Sequence, residues 1–118
     1  EPRSVAWKDF DTIRACFIHA VETLLEAGCY VGIATHDPYL VAAGMHIVDR
    51  LGLERHQYEF QMLLGVDPEL RKIILDAGHR LRVYVPYGRD WYPYSMRRLR
   101  ENPTVARHVL RAMLRGAP

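Results

Sequence analysis

The chain has 118 residues, 49% apolar and 25% charged, which is the balance of an ordinary globular protein and room for one domain at most. Lys and Arg total 16 against 14 Asp and Glu, and the resulting charge of +2 is too small to imply a polyanionic partner. No apolar run approaches the roughly 18 residues that cross a bilayer, EPRSVAW carries no signal-peptide core, and no segment is low in complexity.

The first residue is not Met, and the chain is expected to begin inside a longer gene product. Cys16 and Cys29 share no CxxC or metal spacing. Free thiols of a reducing compartment are expected, packed as small buried apolar residues.

In chain order, Asp9–Ala27 predicts a helix, with Phe10, Ile13, Phe17, Val21 and Leu24 as its inner stripe and Gly28 as its stop. Tyr30–Ala34 is a short strand. Asp37 caps the next helix with Pro38 at its first position, since the carboxylate accepts the free amides and proline lacks nothing there. Val41, Met45, Val48 and Leu51 form that helix's stripe. Glu59–Leu64 is a second strand. Asp67-Pro68 starts a third helix to Ala77, and Leu81–Val85 is a third strand. A helix around Tyr92–Arg100 and another from Thr104 to about Leu114 close the chain.

Strands alternating with helices predict parallel βαβ crossovers. THDPYL and GVDPEL repeat the same cap after successive strands. A closed barrel of this type takes eight strands and about 250 residues. The expected fold class is therefore α/β: part of a (β/α)8 barrel, about three parallel strands with flanking helices. Residues 1–118 then form one partial barrel domain without its N-terminal strands.

Ligands in such folds bind beyond the carboxyl ends of the strands. Thr35 and His36 stand at the first end, where loop capping beside Asp37 is the stronger reading of the residues alone. Glu59, Gln61 and Leu63 share one strand face, directed into the barrel; a cofactor or a buried polar network would satisfy the two polar groups. Tyr84 lies in the last strand, with Tyr87, Trp91, Tyr92 and Tyr94 around the loop after it, most of them suited to packing. Arg97 and Arg98 follow, about 100° apart on a helix. Glu101 is placed to hold either one. Paired guanidinium groups grip a carboxylate through planar hydrogen bonds, although a solvated basic face is the commoner use of such residues. There is no Gly-rich phosphate loop, and His19, His36, His46, His56, His79 and His108 show no metal-ligand spacing.

Three segments resemble the proline dehydrogenase family: GIATHD (32–37), YEFQMLLGV (58–66) and RVYVPYGRDWYPYSMRRLRENP (82–103). They occur in the order and spacing of that family's final barrel strands, and the likeness extends over essentially the whole chain. It implies an FAD-dependent barrel that oxidises L-proline to Δ1-pyrroline-5-carboxylate and passes electrons to a membrane quinone.

By the same resemblance, Arg97 and Arg98 hold the proline carboxylate and Glu101 supports them. Tyr84 and Leu63 line the substrate pocket, and Thr35 and His36 meet the flavin; Gln61, polar on the inward strand face, is the further cofactor-binding candidate. The family's Lys and Asp near the substrate, and its Arg-x-x-Lys-Gly-Ala-Tyr strand, would lie upstream of Glu1. A segment holding about half a site is not expected to bind FAD tightly or to turn over alone. A cytoplasmic location is expected, with a peripheral contact at the inner membrane face.

The rival expectation is a binding module. Arg107, Arg111 and Arg115 make one helical stripe that would suit a membrane surface or nucleic acid. The oxidoreductase reading tolerates the membrane surface and excludes nucleic acid as a partner.

Overall fold

The structure, a computed structural model, describes residue 2 and residues 4–89, 92–94, 96 and 97. Three helices and three strands alternate: α1 (Phe10–Glu26), β1 (Val31–Ala34), α2 (Pro38–Arg50), β2 (Tyr58–Leu63), α3 (Pro68–Asp76) and β3 (Leu81–Tyr84). The strands form one sheet in the order β1-β2-β3, parallel throughout. This is the expected α/β class, a segment of a (β/α) barrel wall. Tyr92–Tyr94 and residues 96–97 are helical. The expected helix from Thr104 lies outside the described residues.

Local chemistry sets the boundaries. The Asp9 carboxylate accepts from the Thr12 amide at 2.8 Å, Asp37 from Tyr39 at 3.0 Å and Asp67 from Leu70 at 3.0 Å. Each thereby satisfies an amide that has no intrahelical partner. Proline follows the second and third caps at a position that needs no N–H.

Alternation in the strands separates two faces. Val31 and Ile33 of β1, with Tyr58, Phe60 and Met62 of β2, are buried against Val21 and Leu25 of α1, Val41, Ile47 and Val48 of α2, and Leu70 and Ile74 of α3. The other face carries Gly32, Ala34, Glu59, Gln61, Leu63, Arg82 and Tyr84, and the strand register aligns Gln61 with Arg82 and Leu63 with Tyr84.

Two expectations are corrected. On α1 the buried stripe is Val21 and Leu25, with Phe17 and Ile18 partly covered, while Phe10, Ile13 and Leu24 are exposed. The helix rests on the sheet through its C-terminal half, and a stripe chosen by spacing alone starts about two turns too early and ends one residue off. Cys16 and Cys29 are free but exposed rather than buried. Cys16 shares the outward face of α1 with Ala20 and Thr23, and Cys29 lies in the turn before β1.

Candidate functional site

The carboxyl ends of all three strands meet at a cavity of about 240 Å³ lined by Ala34, His36, Gln61, Met62, Leu63, Arg82, Tyr84 and Tyr94. Complete small-molecule sites run to roughly 300–1,000 Å³, so this concavity is the size of a part of a site. Five residues named from the sequence line it: His36, Gln61, Leu63, Tyr84 and Tyr94.

The first corner is held from two sides. Arg14 of α1 grips Asp37 with two of its nitrogens, Nε to Oδ2 at 2.7 Å and Nη2 to Oδ1 at 3.0 Å. Its guanidinium also lies 4.4 Å from the Phe10 ring centroid and 4.8 Å from that of Tyr39. The Arg14 hydrogen bonds hold the Asp37 carboxyl below its usual range, against the opposing effect of burial.

Within this corner the Thr35 hydroxyl accepts from the Asp37 amide at 3.1 Å, the local capping role that the residues alone suggest. His36 Nε2 accepts from the Leu63 amide at 2.9 Å, which ties the end of β1 to the end of β2. That nitrogen must then be unprotonated, so the ring's hydrogen sits on Nδ1.

Below the mouth is a charged network. Glu59 is 2% exposed, and its carboxylate receives the Arg82 Nε, Arg82 Nη2 at 2.9 Å, Gln61 Nε2 at 2.7 Å and the Tyr30 hydroxyl at 2.8 Å. The Arg82 hydrogen bonds lead the shift of its pKa from 4.5 to about 2, outweighing desolvation, with Gln61 and Tyr30 adding to it. Glu59 thus sits in a buried polar network.

Arg82 was not singled out from the sequence. Its place two residues before Tyr84 puts both on one strand face, a period-two clue available in RVYVPY.

Tyr84 and Tyr94 stack obliquely, with centroids 5.7 Å apart and planes at 60°, and make an aromatic wall for the cavity. Arg97 is exposed in the helical residues that follow. It stands three positions after Tyr94, on the same side of that helical stretch. Arg98 and Glu101 lie outside the described residues, as does the basic stripe at Arg107, Arg111 and Arg115. Among the described residues, no three His, Cys, Asp or Glu side chains gather as a metal site would require, and no helix is long and apolar enough to cross a membrane.

Compared with known proteins, the chain matches the proline dehydrogenase family over residues 2–111. It belongs to that family. It is 40% identical over 116 residues to the proline dehydrogenase of Deinococcus radiodurans, covering 98% of this chain and 37% of that protein. With proline dehydrogenase 1 of Bacillus subtilis the identity is 39% over 115 residues, covering 98% and 38%. With proline dehydrogenase 2 of the same species it is 34% over 104 residues, covering 88% and 34%.

The chain thus spans little more than a third of the relatives it matches. Proline dehydrogenases are in general flavin-dependent. The side chains at the cavity suit part of a flavin site, because the polar groups of Gln61 and Arg82 stand beside the flat Tyr84–Tyr94 wall.

Proposed function

We propose that this chain is the C-terminal part of the catalytic barrel of an FAD-dependent enzyme. The reaction is oxidation of L-proline to Δ1-pyrroline-5-carboxylate, with electrons passed on to quinone. The observation that carries this reading is the meeting of His36, Gln61, Leu63 and Tyr84 at one cavity beyond three parallel strands, in a chain of this family.

In this reading Arg97 and Arg98 hold the proline carboxylate through planar, paired hydrogen bonds, a geometry an ammonium cannot reproduce. Glu101 steadies the pair. Tyr84 covers one side of the pyrrolidine ring and Leu63 supplies an apolar contact, so that the ring is held at near-attack distance with water excluded. Thr35, His36 and Gln61 contact the cofactor. FAD, when bound, supplies the acceptor for the hydride lost from the carbon next to nitrogen. Strands outside this segment complete the barrel, and quinone as acceptor would place the enzyme at the cytoplasmic membrane face.

The test uses the full-length polypeptide with proline and a dye acceptor. Arg97→Lys and Arg98→Lys are each expected to raise the KM for proline about tenfold or more, the worth of a charge-assisted hydrogen bond, with flavin content unchanged. Proline KM values near wild type in both variants would overturn the clamp. A stable flavin absorbance in the isolated 118-residue chain would show that this segment forms the whole cofactor site.

A further inference from the structure

Resting on the flavin reading above, we propose that Glu59 and Gly32 are positioning residues for the cofactor. Together they fix the Gln61 carboxamide so that its carbonyl oxygen is offered to a hydrogen-bond donor of the bound flavin. Two independent features of the inner face meet on that one amide.

The first is the acceptor. Gln61 Nε2 donates to Glu59 Oε1 at 2.7 Å. An ionised carboxylate can only accept, so the amide must turn its NH2 toward Glu59, and the planar group then sends Oε1 away from that carboxylate. Arg82 and Tyr30 hold the same carboxylate, and Glu59 at 2% exposure is boxed in on the sheet. The depressed pKa of about 2 keeps it ionised across the working range. Gln61 itself lines the cavity.

The second is the space. A Cβ added at Gly32 would stand 2.5 Å from Gln61 Nε2, 2.9 Å from its Cδ and 3.4 Å from its Oε1. Glycine on β1 therefore leaves the floor on which the amide lies, and its absent side chain is a requirement of the neighbouring strand. The atom that would be struck is the tip of a side chain rather than backbone. A methyl at Gly32 would therefore displace the amide without dismantling the sheet.

The test is an FAD titration of the flavin-free full-length polypeptide, read by flavin fluorescence, with thermal melts as the check on folding. Wild type, Gly32→Ala, Gln61→Ala and the double variant are compared. Gly32→Ala and Gln61→Ala are each expected to weaken FAD binding about tenfold, the scale of one hydrogen bond. The double variant is expected to bind as Gln61→Ala does, because the methyl then meets no amide.

Additive losses, or a Gly32→Ala protein that binds like wild type, overturn the proposal. If Gly32→Ala does not fold, Glu59→Asp serves instead, since it keeps the charge and withdraws the acceptor by one methylene. An about tenfold loss that disappears in the Gln61→Ala background is then expected, and a loss under about twofold overturns the idea. A wild-type polypeptide that binds no FAD would sink the proposed function itself, whereas wild-type binding with an additive cycle sinks only the cradle.

Discussion

The two faces of β2 carry opposite answers to the same problem of burial. Toward the helices, Tyr58, Phe60 and Met62 pack in an apolar layer. His79 joins them, its Nδ1 2.8 Å from the Tyr58 hydroxyl and its ring centroid 5.3 Å from that of Phe60. Toward the barrel interior, Glu59 is equally hidden but surrounded by Arg82, Gln61 and Tyr30.

Both titratable groups have lowered pKa values, with contrary meanings. Desolvation lowers His79 and keeps it neutral. Hydrogen bonds led by Arg82 lower Glu59 and keep it charged. Charged partners, rather than depth, decide which form a buried group takes: Glu59 has Arg82 beside it, whereas His79 meets only the Tyr58 hydroxyl and aromatic rings among the contacts described above.

The sharpest way to break this contrast is Phe60→Ala. Phe60 is 1% exposed in the middle of the helix-facing layer. Truncation is expected to cost the full-length polypeptide about 3–5 kcal/mol in urea denaturation, from lost transfer energy plus a residual cavity. A cost under about 1 kcal/mol would mean that this face is not the packed one.

A smaller effect is expected at His79. Its folded pKa lies below the ordinary 6.5, so the fold favours the neutral ring. The stability tied to it is complete above 6.5 and is lost as pH falls through that value toward the depressed one. His79→Gln, which retains a hydrogen-bonding group for Tyr58, should flatten the fall in denaturation midpoint from about pH 7 to pH 5. An unchanged slope would show that His79 does not titrate differently on folding.

Much of this was legible along the chain because the cues are local. Asp-Pro caps, glycine stops and short apolar runs located every described helix and strand to within about a residue or two. Period-two alternation in YEFQML separated the two faces of β2. The pairs that organise the mouth were not legible. Arg14–Asp37 and Arg82–Glu59 join residues on different elements, and a charge in a helix or strand does not name its partner across a fold. Likewise GIATHD contains Gly32, but the need for glycine there comes from the Gln61 side chain on the next strand. The buried side of α1 was misjudged for a related reason. Spacing defines a stripe, while the sheet decides which turns of the helix it reaches.

The finest probe of the comparison is Glu59→Gln, because it removes charge while preserving shape. Glu59 sits at about 2 in the fold against an ordinary 4.5. The ionised form is thus the one the fold prefers, and the associated stability is complete above 4.5 and fades as pH drops toward 2. The Arg82 side chain is 60% exposed, so water can replace much of what Glu59 offers it, and the total loss at neutral pH should stay well below that of Phe60→Ala. The distinguishing result is the shape of the acid limb. Wild type should lose stability progressively below about pH 4.5, and Glu59→Gln should show less of that decline while leaving the His79 limb at higher pH intact. If the variant instead altered the limb near 6.5, the two faces of β2 would be electrostatically coupled, and the separation between a neutral packing side and a charged polar side would fail.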